Sequence, residues 1–265
     1  MPDELMTERR VLSLQRGDMM FHRVGKGGQT LLLLHGLGDN GLCWSRVVRA
    51  LVDDYTIVML DSRGHGGSTL PPPDVLDDPA IDLAEVLDQL GLEQALVVGH
   101  SVGAISAARF AAAHPEKVRK LVLEDPPFRS RAQAPSDEMV AAFTKQVNRY
   151  RAMTLAEVIK EGQKQHSTWH AAEFDAWAEG KLQFDPRILG QYHFPAWRDV
   201  VSEVQAPTLL VHGMPGSDTA VSMERAREIV ALNPAFRSVA IAGAGHNVRR
   251  ENLEGYLSSL RSFLS

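Results

Sequence analysis

Gly99-His100-Ser101-Val102-Gly103 stands between a short apolar run, Ala95 to Val98, and a run of small residues with helical spacing, Ala104 to Ala113. A strand that turns into a helix within five residues forces its central backbone into a strained conformation, and a bulky flank would clash there. Glycine on both sides removes the clash. The turn lifts the Ser101 hydroxyl above a sheet edge and sets it at a helix N-terminus, where unpaired backbone N–H groups favour developing negative charge. The five-residue pattern alone is common; its strand–turn–helix context makes Ser101 a candidate nucleophile.

The rest of the chain repeats the same strand–helix rhythm. Val11 to Leu14 and Met19 to Val24 flank Arg16-Gly17-Asp18 and read as an antiparallel hairpin. Thr30 to Leu34, Thr56 to Leu60, Ala95 to Val98, Val118 to Leu123, Thr208 to Val211 and Arg237 to Ile241 are short apolar runs, as expected of strands covered on both faces. Helical patterns at Leu42 to Val52, Ile81 to Leu90, Ala104 to His114, Met223 to Leu232 and Leu253 to Leu264 separate or follow them. The expected fold class is α/β, a doubly wound and mostly parallel sheet with an N-terminal antiparallel hairpin.

One segment departs from that rhythm. Residues 128–204 carry no strong strand signal, while Glu138 to Tyr150, Leu155 to Gln165 and Ala171 to Leu182 read as helices. The expected organisation is therefore a core domain, residues 1–127 and 205–265, with a helical cap inserted at 128–204. The insertion holds most of the chain's aromatic residues. They would form its own core or, for Phe128, Trp177 and Trp197, line an apolar substrate pocket over the sheet edge, with His35 on the core side.

Composition narrows the classes. At 265 residues the chain is long enough for one large domain with a substantial core. A net charge of −5 gives no broad footprint for nucleic acid, and no run of 18 apolar residues predicts a membrane span. Cys43, the single cysteine, excludes an intrachain disulfide and reads as a small buried residue in a reducing, cytoplasmic compartment. Met1 to Arg10 is polar and mixed in charge, without the apolar core of a leader.

Partners for Ser101 are sought downstream. His246, in the loop Gly243-Ala244-Gly245-His246-Asn247 between the last strand and the last helix, is the strongest candidate base. Two carboxylates compete to orient it. Asp125 closes the strand Val118 to Leu123 within Leu123-Glu124-Asp125-Pro126-Pro127, and Asp218 follows the next strand. Either could fix the imidazole tautomer and stabilise its protonated form; Glu124 is disfavoured because strand alternation points it away from Asp125. The backbone N–H groups of Leu37 and Val102 are the expected oxyanion hole.

Two rival motifs are weaker. Gly36-Leu37-Gly38-Asp39-Asn40-Gly41 with Asp61 fits a dinucleotide fingerprint, but His35 occupies the strand end before it and Ser101 sits in its own motif, so no cofactor is expected. His166 and His170, four apart with Glu173 nearby, resemble a metal pair but lack the intervening glutamate of zinc proteases, so no metal is expected.

Together these segments resemble the α/β-hydrolase fold: His35-Gly36 with Trp44, Asp61-Ser62-Arg63-Gly64-His65-Gly66-Gly67-Ser68, the elbow Gly99 to Gly103, and Gly243 to His246 before the final helix. The resemblance spans nearly the whole chain outside the cap and implies a serine hydrolase of small carboxylic esters or lactones acting through an acyl-enzyme. Most capped relatives carry the acid after the seventh strand, where Asp218 falls. A minority, including some lipases and zearalenone-type lactone hydrolases, carry it after the sixth, where Asp125 falls. The Asp-Pro-Pro context and a lengthened turn before Asp218 favour Asp125, with Asp218 as the alternative. A serine nucleophile argues against haloalkane dehalogenase and epoxide hydrolase chemistry, whereas perhydrolase and carbon–carbon-bond hydrolase activities share the triad. Some proteins with a similar elbow are instead signalling receptors that slowly hydrolyse a lactone-like ligand, the alternative function.

Overall fold

The computed structural model describes residues 6–265, with side chains from Glu8 onward. Met1 to Leu5, half of the N-terminal segment considered above, lie outside the described residues. The chain opens with a hairpin, β1 (Met6–Leu14) and β2 (Gly17–Val24). It continues through β3 (Gln29–Leu34), α1 (Ser45–Leu51), β4 (Tyr55–Leu60), α2 (Pro79–Gln89), β5 (Ala95–His100), α3 (Val102–Ala113) and β6 (Val118–Glu124). After the cap come β7 (Thr208–His212), α8 (Met223–Leu232), β8 (Phe236–Ala240), α9 (Val248–Glu251) and α10 (Leu253–Leu264). The strands form one eight-stranded sheet in the order β1-β2-β4-β3-β5-β6-β7-β8. Its pairings are antiparallel from β1 to β2 and from β2 to β4, and parallel from there on.

The period of two along the central strands sorts their side chains between two cores. Leu32, Leu34, Val97, Leu121 and Leu123 face the layer of α2, α3 and α8. Leu31, Leu33, Leu96, Val98 and Val122 face α1 and α10. The central strands are therefore buried on both faces along most of their length, which is why they read in the sequence as short apolar runs, while β8 at the sheet edge keeps Arg237 and Ser238 exposed.

Between β6 and β7 the chain leaves the sheet for α4 (Asp137–Arg151), α5 (Leu155–Gln165), α6 (Phe174–Gln183) and a 3-10 segment, Pro186–Gln191. These build two small cores, one around Phe184, Ile188, Tyr192 and Phe194 that takes in Ile105 of α3, the other around Tyr150, Trp169, Phe174 and Trp177. The last helix of the insertion, α7 (Trp197–Glu203), behaves differently. It packs against α3 and α8, and its Trp197, Val200 and Val201 join the core beneath the sheet. Cys43 is buried, and burial pushes its thiol up to about 12, in keeping with a packing role. Among the described residues no helix is long and apolar enough to cross a membrane.

Candidate active site

Ser101 sits between β5 and α3 with φ +54° and ψ −121°, backbone geometry that a non-glycine residue adopts only at a cost. The flanking glycines are required by close approach. A Cβ on Gly99 would lie 2.3 Å from the Gly103 carbonyl oxygen, and one on Gly103 would lie 2.4 Å from that of His35. The strand, the turn and the first turn of α3 thus pack against one another with no room for a methyl group.

Three side chains meet at this turn. His246 Nε2 lies 3.0 Å from Ser101 Oγ, and His246 Nδ1 lies 2.6 Å from Asp125 Oδ2. β5 and β6 are adjacent and parallel, with His100 in register with Glu124, so Ser101 and Asp125 each follow directly after paired residues at the same sheet edge. Asp125 is fully buried and has φ +44°. Its carboxylate also accepts hydrogen bonds from Thr219 Oγ1 at 2.7 Å, Ala220 N–H at 2.7 Å and Val221 N–H at 3.0 Å. Four donors hold it in one orientation. Asp218 takes another place, its Oδ1 accepting from the His246 backbone N–H at 3.0 Å. It steadies the loop and not the ring. Burial pulls the His246 imidazole down, but the hydrogen bond and charge of Asp125 outweigh it and leave the ring above its ordinary value.

Leu37 and Val102 both face the cavity beside Ser101. Val102 begins α3, so its N–H has no partner within the helix. The Leu37 N–H belongs to the peptide whose carbonyl, on Gly36, accepts from Asp39 N–H at 3.1 Å and lies 2.8 Å from His35 Nδ1. Since a peptide N–H points opposite its C=O, the Leu37 N–H points away from the Asp39 N–H and the His35 ring that hold that carbonyl. His35 Nε2 accepts from Ser62 N–H at 3.0 Å, so Nδ1 carries the proton and donates to Gly36. Its neighbour His65 accepts from Gly38 N–H at 3.0 Å, and its ring lies 5.0 Å from that of His35. Each ring accepts a backbone N–H at Nε2 and is therefore neutral, and burial pulls both down, His65 to about 3.

The cavity holds about 340 Å³ between the sheet edge and the cap, with Ser101, His246, Phe143, Tyr150, Trp169 and Trp177 in its wall. Of the four residues expected at a substrate pocket, Trp177 lines this cavity and three do not. His35 lines an adjoining space of about 30 Å³, with His65 and Asp77, that meets the larger cavity at Gly36, Leu37 and Val102, and its ring holds the Gly36 carbonyl. Phe128 packs between the cap and the sheet core. Trp197 is buried under the sheet, where the guanidinium groups of Arg198 and Arg225 stack over its ring at 4.3 and 4.8 Å. The amphipathic face of α7 turns toward α3 and carries Trp197 away from the cavity.

The rival motifs have structural employment. Asp61 accepts from Gly41 N–H and Gly67 N–H, each at 2.8 Å, and so ties together the two loops after β3 and β4. His166 stacks on Trp169, His170 caps the turn at Ala172, and Glu173 pairs with Arg250, so the three do not converge. Sequence reading missed a buried ionic network below the His246 loop. Arg249 bonds Glu124 at 3.1 Å, and Arg250 bonds Asp39 at 3.0 Å and Glu173 at 3.3 Å. Burial would raise the Asp39 carboxyl, but Arg250, Lys181 and Arg249 hold it well below the usual carboxylate range. No local pattern marks these residues; their partners lie far away along the chain. Thr219, which braces Asp125, adjoins Asp218 in sequence and could have been noticed only from that position.

A family model described as the alpha/beta hydrolase family matches residues 31–256. Esterase YbfF of Escherichia coli (strain K12) is 28% identical over 247 residues, covering 89% of this chain and 92% of that protein. The 2-hydroxy-6-oxononadienedioate/2-hydroxy-6-oxononatrienedioate hydrolase 2 of Pseudomonas putida is 28% identical over 272 residues, covering 92% and 90%. Among solved structures, that of E-2-(acetamidomethylene)succinate hydrolase superposes with a TM-score of 0.78 at 22% identity, covering 97% of this chain and 98% of that one, a likeness of fold.

Proposed function

The chain belongs to the alpha/beta hydrolase family, and from that premise we infer that it is a serine hydrolase of small carboxylic esters, lactones included. The carrying observation is the continuous chain Ser101 Oγ, His246 Nε2, His246 Nδ1, Asp125 Oδ2, with contacts of 3.0 and 2.6 Å. His246 takes the Ser101 proton as Oγ attacks the acyl carbon. The carbonyl electron pair moves onto oxygen, opposite the N–H groups of Leu37 and Val102. Collapse expels the alcohol oxygen, which receives the proton from His246. A water, deprotonated by the same ring, then attacks the acyl-enzyme and releases the acid. In a lactone, alcohol and acid remain one molecule. Asp125 keeps the Nδ1 proton in place and stabilises the imidazolium. Likeness to Esterase YbfF over most of both chains supports the ester assignment. The test is turnover of p-nitrophenyl acetate together with phosphonate labelling mapped by mass spectrometry. Many turnovers and a label on Ser101 are expected; a label elsewhere, or release of a single equivalent, overturns the assignment.

The raised imidazole sets the pH dependence. Only neutral His246 accepts the serine proton, so kcat/KM should fall as pH drops through a midpoint above 6.5. Removing the charge in Asp125→Asn should shift the midpoint of any residual activity down. A wild-type midpoint below 6.5 would contradict the proposed pairing.

The two tryptophans should separate. Trp177→Ala opens the cavity wall and should lower kcat/KM for bulky esters more than for a small acetate, because each Å² of lost apolar contact weakens positioning by about 25 cal/mol. Trp197→Ala should cost about 3–5 kcal/mol of stability with selectivity unchanged. An ester series measured beside thermal unfolding decides, and unchanged selectivity in Trp177→Ala would remove it from the substrate pocket.

A further inference from the structure

We propose that Lys181, carried by the cap helix α6, is a positioning residue that holds the loop Gly36 to Asn40 in the register aiming the Leu37 N–H at the substrate oxygen. This rests on the reading of Leu37 and Val102 as the oxyanion hole. Gly38, at the centre of the loop, has φ +70°, a conformation open to glycine and free to swing unless its peptides are tied. Both are tied, to different bodies. Its N–H donates to His65 of the core at 3.0 Å, while its carbonyl accepts from Lys181 Nζ of the cap at 2.9 Å. The same helix grips the loop twice more. Asn40 Nδ2 donates to Gln183 Oε1 at 3.0 Å, and Gly180 rests so close that a Cβ there would meet the Asp39 backbone at 3.0 Å.

Charge pairing is only part of what the ammonium does. Its nitrogen is 3.6 Å from Asp39 Oδ1, beyond hydrogen-bond distance, while Arg250 and Arg249 meet Asp39 Oδ2 at 3.0 and 3.4 Å. Burial pulls the ammonium below its ordinary value, so placing it here carries a desolvation cost that an apolar side chain of similar length would avoid. What an apolar side chain would not supply is the donor to the Gly38 carbonyl. Lys181 also lines the same cavity as Ser101 and Leu37, so a substrate seated against the cap rests on the side chain that sets the loop.

The test is Lys181→Met on p-nitrophenyl acetate and on a trifluoromethyl ketone, which adds to Ser101 as a tetrahedral oxyanion. We expect kcat to fall about 10- to 30-fold with KM within about twofold, and ketone affinity to fall by the same factor, as for an interaction made only in the transition state. Lys181→Arg, which keeps a cationic donor, should recover part of both. Unchanged kcat and ketone affinity overturn the proposal, as does a raised KM with kcat intact, which would make Lys181 a substrate contact. If Lys181→Met does not fold, Gln183→Leu removes the neighbouring bond and should lower kcat and ketone affinity together by about threefold; no change in either overturns the proposal. A Ser101→Ala control separates the two levels. Full activity in that control sinks the serine reading, whereas its inactivity beside an unimpaired Lys181→Met sinks the positioning role alone.

Discussion

Ser101→Ala is expected to lower kcat on any ester substrate by about 10⁴-fold or more and to abolish phosphonate labelling, with the fold retained. No second hydroxyl lies within reach of His246 Nε2 in the hydrogen bonds of the described residues, where Ser101 Oγ stands at 3.0 Å. The hydroxyl caps no backbone N–H of α3, so its loss removes no helix cap. Alanine should leave stability close to wild type, although the φ of +54° will still have to be met by a residue with a Cβ. Stoichiometric labelling of the alanine variant at the wild-type rate would show that attack comes from another residue.

Asp125→Asn should be nearly as severe, and its comparison with Asp218→Asn is the informative measurement. An amide at position 125 faces His246 Nδ1 at 2.6 Å and must also satisfy Thr219 Oγ1 and the N–H groups of Ala220 and Val221. All of those partners donate, so an NH₂ on the Oδ2 side faces His246 Nδ1 and the Ala220 N–H and favours the wrong imidazole tautomer, while an NH₂ on the Oδ1 side faces the Val221 N–H and loosens the hold on the ring. A loss in kcat of about three to four orders of magnitude follows. Asp218→Asn keeps an oxygen for the His246 backbone N–H, its partner at 3.0 Å, and should cost less than about tenfold. If the ranking were reversed, the imidazole would be oriented from the β7 side, and the geometry at Asp125 would be structural only.

Much of this was written locally. The elbow is readable because strand, turn and helix are contiguous in the chain, and the two glycines that face each other across it, Gly99 and Gly103, lie four residues apart. The central parallel strands are readable because burial on both faces makes them largely apolar, and His246 because its glycine-rich loop sits between the last strand and the last long helix. Boundaries moved where local signals were ambiguous. The helix expected from Leu42 begins as a 3-10 turn, Gly41–Trp44, and the strand expected at Arg237 to Ile241 runs from Phe236 to Ala240.

The choice between Asp125 and Asp218 was not local. Both are acidic residues just past a strand, and the preference for Asp125 rested on its two prolines and on a turn length. What separates them is that β6 lies beside β5 in the sheet, which brings Asp125 under a ring 121 residues away, while the loop after β7 turns Asp218 to that ring's backbone. The same reason accounts for Trp197 and His35. Aromatic content announced a pocket, but which aromatic faces it depends on how α7 docks against α3, a contact between segments far apart in sequence. The chain by itself determined the residue types and the strand–helix order from which the sheet edge is built, since these follow from periodicity and turn chemistry within a few residues. Tertiary structure alone decided which carboxylate meets the imidazole, which histidines stand behind the loop after β3 and which residue of α6 bonds it, because those depend on strand order and helix docking, and non-local packing leaves no periodic trace in a sequence.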